Sequence, residues 1–198
     1  MKKVRGEYKN KQENEWATKS LHKKILSLIL DGKGKALDLG CGSGFLASQL
    51  SNKGYMVLGV DIENFTRYPI KFLKRDLDKP FEFKRSKFDL ITAVEIIEHL
   101  ENPRKFIREI KKCLKKEGIA IITTPNVLNW KARLYYLLKG IVWGFRKEDY
   151  KISGHISPVI RYDFQRICDE EKLEILQITY NNSNKEIFGD NLIIVIRK

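Results

Sequence analysis

Hydrophobic residues along the chain follow two patterns in alternation. Some form short continuous runs, and others recur at the spacing of a helix. The runs predict buried strands, at 35–39, 56–60, 72–75, 88–94 and 119–124. Between strands, apolar residues recur at spacings of three and four, as in the helix predicted from Pro103 to Leu114, with Asn102 as its N-cap. A chain that alternates strands and helices in this way predicts an α/β protein with a mostly parallel sheet.

The two ends of the chain extend this pattern. An amphipathic helix is predicted over 15–30, and a helix over 159–171 precedes two final strands at 173–180 and 191–197. Only about ten residues, Ile62 to Lys71, separate the second and third strands, and Pro69 lies among them. A crossover helix does not fit in that length, so a loop is predicted there.

One domain, 1–198, is expected from the length of 198 residues. Within it, 1–34 is predicted to be an N-terminal helical cap and 127–157 a substrate-recognition insertion. The insertion mixes aromatic and basic residues. It also carries an apolar stripe that predicts a helix docked on the core: Leu134, Leu137, Leu138 and Ile141. Its other aromatic residues are candidates for a lid or a binding surface.

Charge and composition narrow the class of protein. The chain is 42% hydrophobic and 32% charged and has no apolar run that approaches the length of a membrane span. Three widely spaced cysteines predict neither a disulfide framework nor a metal-binding pair, so a cytoplasmic location is expected. The net charge of +13 is dispersed over several segments and is interpreted as solvated helix faces. An anionic partner such as RNA is the alternative.

A glycine loop follows the first strand. Gly40, Gly42 and Gly44 occur at every second position after Asp38, and a helix begins directly afterwards. Glycines allow a tight turn and a close ligand, and the helix N-terminus offers unpaired N–H groups. Asp61 follows about twenty residues later at the end of the second strand, where an acid can accept hydrogen bonds from both ribose hydroxyls.

A second block follows the fourth strand: Glu95-Ile96-Ile97-Glu98-His99-Leu100, then Pro103 at the start of a helix, then a strand ending in Thr-Pro-Asn at Asn126. Together with the glycine loop, this block resembles the class I S-adenosylmethionine-dependent methyltransferases, and within them the subgroup that includes ubiquinone-pathway O-methyltransferases. The resemblance covers Lys35 to Asn126. It implies a Rossmann-like, doubly wound, seven-stranded sheet that is mostly parallel with an antiparallel last strand.

The resemblance also implies where S-adenosylmethionine is held. The methionine end of the cofactor is expected at the glycine loop, with Asp38, Gly40, Cys41, Gly42 and Gly44. The ribose is expected at Asp61 and Ile62 after the second strand, and the adenine at Asp76 and Leu77 after the third strand. Val94 and Glu95, at the end of the fourth strand, are expected to lie under the methyl group. For Asp76, a role as a turn residue is the alternative.

Glu95, Glu98 and His99 lie at i, i+3 and i+4, so they share a face if this stretch makes one helical turn. Such a set suits Mg²⁺, Mn²⁺ or Fe²⁺. His155, in a loop predicted to return to the same end of the sheet, is a fourth ligand or a general base. A similar Glu-x-x-Glu-His with a distant histidine binds a metal in small-RNA 2′-O-methyltransferases. The alternative is that Glu98 and His99 only orient the following helix.

The expected activity is S-adenosylmethionine-dependent O-methylation of a hydroxyl on a small molecule or glycan precursor, yielding S-adenosylhomocysteine. His99, His155 and Glu95 are the catalytic candidates, because a hydroxyl nucleophile must lose its proton. Two alternatives remain: a metal-dependent RNA 2′-O-methyltransferase, and a non-catalytic partner subunit that binds the cofactor.

Overall fold

A computed structural model of the protein describes residues 17–83 and 87–198. Among them, seven strands form one sheet in the order β3-β2-β1-β4-β5-β7-β6. The strands are β1 (Lys35–Leu39), β2 (Met56–Asp61), β3 (Lys71–Lys74), β4 (Phe88–Ala93), β5 (Leu114–Pro125), β6 (Glu174–Tyr180) and β7 (Asn191–Arg197). β7 runs antiparallel to both of its neighbours, β5 and β6, and the other neighbouring pairs are parallel. This is the mostly parallel seven-stranded sheet that the sequence predicts, with its antiparallel last strand.

Helices cover both faces of the sheet. They are α1 (Lys19–Ser27), α2 (Phe45–Asn52), α3 (Pro103–Cys113), α4 (Trp130–Lys139), α5 (Lys147–Ile152) and α6 (Arg161–Glu170), with a short 3-10 turn at Ile97–His99. Phe106 of α3 and Phe164 of α6 lie in one buried apolar layer. Leu21 of α1 and Leu46 of α2 lie in the other. The doubly wound arrangement follows from these two layers.

The chain direction across the sheet reverses beside β1. From β1 the chain proceeds outward to β2 and β3 and then returns to β4 on the other side of β1. In open parallel sheets a crevice forms at such a reversal, outside the carboxyl ends of the strands. The glycine loop after β1 and the Glu95 segment after β4 therefore lie side by side.

Most predicted element boundaries lie within two residues of the observed ones. The first helix is shorter than predicted, Lys19–Ser27 against 15–30, and β5 begins at Leu114 and not at the predicted 119. Between β2 and β3 the chain has no helix, as predicted. The helix predicted to reach Leu114 ends at Cys113, because Leu114 pairs with Phe88 and begins β5. Glu117, with φ of 62°, lies in an irregular part of β5. The first residues of the predicted N-terminal helix, Glu15 and Trp16, lie outside the described residues.

The segment 127–157 departs most from expectation. It forms α4 and α5, but the stripe of Leu134, Leu137, Leu138 and Ile141 is exposed to solvent instead of packing on the core. Ala132 is the one buried residue of α4. The helix was predicted correctly and its orientation was not, because periodicity shows that a helix has an apolar face without showing what covers that face. No helix within the described residues has the length and apolar character needed to cross a membrane.

Candidate active site

The glycine loop adopts a backbone that favours glycine. Gly40, Gly42 and Gly44 have φ of 73°, 49° and 82°, and Gly44 is the N-cap of α2. A side chain is strained at such φ values, so the turn depends on glycine. Gly59 of β2 makes room beside the loop, because a Cβ there would lie 2.9 Å from Sγ of Cys41. The predicted loop is thus a tight turn that leads into α2.

Asp38 lies buried at the base of this loop. Its Oδ1 accepts a hydrogen bond of 2.7 Å from the hydroxyl of Thr92, and its Oδ2 has no hydrogen-bond partner among the described residues. Burial raises the pKa of Asp38 to about 7, and the nearby charge of Asp61 adds to this effect. A buried carboxylate oxygen without a donor is costly, so this position fits a cationic ligand group such as the ammonium of S-adenosylmethionine.

Asp61 ends β2 and connects it to the glycine loop. Its carboxylate accepts hydrogen bonds from the backbone N–H of Gly42 at 2.9 Å and of Ile62 at 2.7 Å. Burial raises its pKa, and the two N–H donors act in the opposite direction. The structure therefore brings Asp38, Gly42 and Asp61 together, as the cofactor prediction requires.

Asp76 and Leu77, expected near the adenine, lie after β3. The carboxylate of Asp76 accepts a hydrogen bond from the backbone N–H of Asp78 at 3.1 Å, which is the contact of a turn residue. Leu77 is buried in the apolar layer that contains Phe106. Val94, just past β4, is half-buried. Contact of these residues with the cofactor stays a prediction.

Glu98, His99 and His155 form a compact group at the 3-10 turn. Each offers one ligand atom, and these atoms lie within 4.8 Å of one another. Nε2 of His99 is 3.9 Å from Oε1 of Glu98, and the two imidazole centroids are 4.8 Å apart. The carboxylate of Glu98 is fully buried and neither oxygen has a hydrogen-bond partner among the described residues. Burial raises its pKa well above the usual value.

Both imidazoles are oriented by backbone groups. Nδ1 of His155 lies 2.8 Å from the carbonyl oxygen of Gly144, and if Nδ1 carries the proton there, Nε2 is the acceptor of the ring. Burial, followed by the effect of His155, lowers the pKa of His99 to about 4. His99 is thus neutral near pH 7, the form that binds a metal or accepts a proton.

Glu95 does not belong to this group. Its φ of 52° places it in the left-handed region just before the 3-10 turn, so the expected continuous helical turn is interrupted. Its carboxylate accepts hydrogen bonds from the Thr123 hydroxyl at 2.8 Å and from the Asn191 side-chain amide at 2.9 Å. Its N–H donates to the same hydroxyl at 3.0 Å. A strained residue held by several bonds is typical of a functional site.

Thr123 and Asn191 were not among the sequence-predicted site residues. A signal was present, because both are polar residues at the ends of strands that are otherwise apolar. Thr123 lies near the carboxyl end of β5, and Asn191 begins the antiparallel β7 beside it. Recognising them required the pairing of β5 with β7, which the sequence alone does not give.

Two imidazole nitrogens and one carboxylate oxygen make a donor set that fits a divalent cation. His₂Glu sets hold catalytic Zn²⁺, and two histidines with one carboxylate also hold Fe²⁺. The buried, unpartnered Glu98 carboxylate supports the fit, because a cation would compensate its burial. With Glu95 directed elsewhere, the set is richer in nitrogen than the sequence predicts, so Mg²⁺ is a poorer match than Zn²⁺ or Fe²⁺.

Comparison with known proteins agrees with this geometry. A methyltransferase domain model matches residues 8–178. A ubiquinone biosynthesis O-methyltransferase from Rickettsia canadensis is 29% identical over 163 residues, which are 76% of this chain and 68% of that protein. About a third of that relative thus lies outside the match.

Solved structures show the same fold. An S-adenosylmethionine dependent methyltransferase from Mesorhizobium loti superposes with a TM-score of 0.67 at 14% sequence identity. The match covers 90% of this chain and 98% of the Mesorhizobium chain. The [4+2]-cyclase SpnF superposes with a TM-score of 0.67 at 16% sequence identity, and the match covers 94% of this chain and 85% of the SpnF chain. Because one of these is named as a cyclase, the fold alone does not fix the reaction. Together, the family match, the sheet order and the glycine loop show that the chain belongs to the methyltransferase domain family and is a class I S-adenosylmethionine-dependent methyltransferase.

Proposed function

We propose that the protein transfers a methyl group from S-adenosylmethionine to a hydroxyl on a small molecule or glycan precursor. The observation that carries the proposal is the compact group that buried Glu98 forms with half-buried His99 and His155, at the turn that follows β4 and beside the glycine loop after β1. The name of the Rickettsia relative, an O-methyltransferase of ubiquinone biosynthesis, supports oxygen as the methyl acceptor. The RNA and partner-subunit alternatives are not favoured by the comparisons.

Cofactor binding rests on residues that the site already holds in place. We assign the carboxylate of Asp38 to the methionine ammonium and that of Asp61 to the ribose. We assign Gly40, Cys41, Gly42 and Gly44 to the methionine end as well, and Ile62, Asp76, Leu77 and Val94 to the rest of the cofactor. S-adenosylmethionine supplies an electrophilic methyl group and, after transfer, is released as S-adenosylhomocysteine.

The chain must position the acceptor hydroxyl and remove its proton. As the oxygen attacks the methyl carbon, its proton passes to Nε2 of His155, whose Nδ1 is held by the carbonyl of Gly144. His99, neutral at pH 7, lies against it. A divalent cation held by Glu98, His99 and His155 would instead lower the pKa of the hydroxyl.

Segment 127–157 is proposed to contribute to acceptor recognition, because it carries His155 itself and also Phe145, whose ring centroid lies 5.4 Å from that of His155. The chain as a whole is proposed to act as one domain, 1–198. A cytoplasmic location is proposed because Cys41, Cys113 and Cys168 are all buried and unpaired.

The test is an acceptor screen with purified protein. Release of S-adenosylhomocysteine is measured with panels of hydroxylated small molecules and nucleotide sugars. His155→Gln is expected to lower kcat by about 10²-fold or more while calorimetric affinity for S-adenosylmethionine is retained. Lys116→Gln, at an exposed position outside segment 127–157, is the control. Wild-type protein that does not bind S-adenosylmethionine would contradict the proposal, and so would an N-methylated or C-methylated product.

A further inference from the structure

The connecting segment between β2 and β3, residues 62–70, lies against the glycine loop. The backbone N–H of Arg67 donates a hydrogen bond of 2.8 Å to the carbonyl oxygen of Ser43. The segment begins directly after Asp61, whose carboxylate accepts a hydrogen bond from the N–H of Gly42. The connecting segment and the glycine loop are therefore joined at two neighbouring residues of the loop.

The side chain of Ile70, the last residue of the connecting segment, fills space that two glycines leave open. A Cβ on Gly44 would lie 3.0 Å from Cδ1 of Ile70, and a Cβ on Gly59 would lie 2.7 Å from the same methyl carbon. Ile70 is half-buried and belongs to neither of the two buried apolar layers found among the described residues. Its place between Gly44 and Gly59 thus links it to the glycine loop and not to the core.

An aromatic contact joins the connecting segment to the helix that follows the glycine loop. Phe45 is the first residue of α2, and its ring lies in edge contact with that of Tyr68, with 5.7 Å between the centroids. The ring of Phe45 also lies 5.2 Å from that of His22 on α1. Aromatic pairs at such distances are stabilising. The start of α2 is therefore held by both α1 and the connecting segment.

The glycine loop gains from support of this kind. Glycine loses more conformational freedom on ordering than any other residue, and the loop has three glycines with positive φ. Gly44, the N-cap of α2, has no side chain with which to cap the helix. When a binding loop is already held in its bound conformation, the ligand does not bear the entropic cost of ordering it. Contacts that hold the loop are therefore expected to raise cofactor affinity.

We propose that Ile70 is a positioning residue for S-adenosylmethionine, which acts by holding the glycine loop in its cofactor-binding conformation. Ile70 acts through Gly44 and has no contact of its own with the cofactor in this proposal. Parallel strands are usually joined through a crossover helix, and here the shorter connecting segment packs on the glycine loop. The inference rests on the proposed assignment of the glycine loop to the cofactor, and it is independent of the acceptor.

Calorimetric titration of the full chain with S-adenosylmethionine tests the proposal. Ile70→Val removes only the Cδ1 methyl group that lies between the two glycines, and it should weaken binding by about threefold. Ile70→Ala should weaken binding by about tenfold or more, because the ligand must then order the glycine loop without this contact. Unchanged affinity in both variants, with normal binding by the wild type, would overturn this inference alone. Wild-type protein that does not bind S-adenosylmethionine would contradict the proposed function as well.

Ile178→Val and Ile178→Ala are the matched controls. Ile178 is a half-buried isoleucine of β6, at the edge of the sheet opposite β3. These variants lose the same atoms and should be less stable in urea, but they should bind S-adenosylmethionine as the wild type does. Equal losses of affinity at Ile178 and Ile70 would reduce Ile70 to a structural role.

A double-variant cycle shows whether Ile70 acts through the glycine loop. Gly44→Ala should weaken binding for two reasons, the strain of a side chain at φ of 82° and the close contact with Cδ1 of Ile70. In the Ile70→Val background only the strain remains, so the further loss caused by Gly44→Ala should be at least about threefold smaller. Additive losses would show that Ile70 does not act through Gly44. If Gly44→Ala does not fold, Ile70→Val and Ile70→Ala decide the question alone.

Discussion

Asn191 donates a hydrogen bond to Glu95, with 2.9 Å between the amide Nδ2 and the carboxylate Oε2. The amide oxygen of Asn191 faces Nδ2 of Asn181 at 3.3 Å, and the same Nδ2 lies 3.2 Å from the hydroxyl of Ser20 on α1. A chain of polar side chains thus runs from the first described helix to the active site. It holds the Glu95 carboxylate on Thr123 and Asn191, outside the group formed by Glu98, His99 and His155.

Removing either donor to Glu95 should destabilise the fold. Asn191→Leu and Thr123→Val each leave one buried carboxylate oxygen without its donor, so each should lower the free energy of unfolding by about 1–3 kcal/mol. The pKa of Glu95, which burial raises to about 7, should rise further, because both donors lower it. Urea denaturation measures the loss of stability, and Asn52→Leu, at the exposed end of α2, is the control. Equal stability of Asn191→Leu and Asn52→Leu would contradict the assigned role.

Cofactor affinity should increase as pH rises through 7. The pKa of Asp38 is about 7, so below that pH its carboxyl is mostly protonated and attracts an ammonium group weakly. Binding of S-adenosylmethionine should then release a proton. Calorimetry on either side of pH 7, in buffers of different ionisation enthalpy, measures both effects. Asp38→Asn should bind more weakly and without the pH dependence, and an unchanged pH dependence in this variant would assign it to another group.

Stability of the cofactor-free protein should change with pH in the opposite sense. The pKa values of Asp38 and Glu95 are raised from 3.8 and 4.5 to about 7. Between about pH 4 and 7 the unfolded chain has released these protons and the folded chain keeps them, so the free energy of unfolding falls as pH rises. Asp38 alone contributes at most about 4 kcal/mol.

Urea denaturation across this pH window checks the expectation. Asp38→Asn and Glu95→Gln should each flatten the fall in stability, because each removes one group that titrates differently in the two states. Glu101→Gln, at an exposed position, should leave the slope unchanged. If stability rises with pH from 4 to 7 by the same amount in wild type and Asp38→Asn, the buried carboxyl is not protonated in the folded state.

Most of the fold could be predicted from the sequence, because strands buried on both faces and helices with one apolar face leave distinct periodicities. The glycine loop was predictable for a local reason, since its backbone needs glycine at positions such as Gly44. Two features were not. The left-handed φ of Glu95 depends on Thr123 and Asn191, which are distant in sequence. The outward face of Leu137 depends on how α4 packs, which its own residues do not specify.

Substitution of Glu98 should weaken divalent-cation binding at the His99 and His155 pair. Co²⁺ is a useful probe, because its visible absorption reports nitrogen and oxygen ligands directly and does not depend on activity. We expect wild-type protein to bind Co²⁺ and Zn²⁺ more tightly than Mg²⁺. Glu98→Gln and His155→Gln should each weaken binding by about tenfold or more. Glu101→Gln is the matched control, because it removes an exposed carboxylate three residues away.

Glu95→Gln should leave the Co²⁺ spectrum unchanged, because Thr123 and Asn191 hold Glu95 outside the group. A spectrum that changes in Glu95→Gln as much as in Glu98→Gln would return Glu95 to the ligand set, and tighter binding of Mg²⁺ than of Zn²⁺ would point the same way.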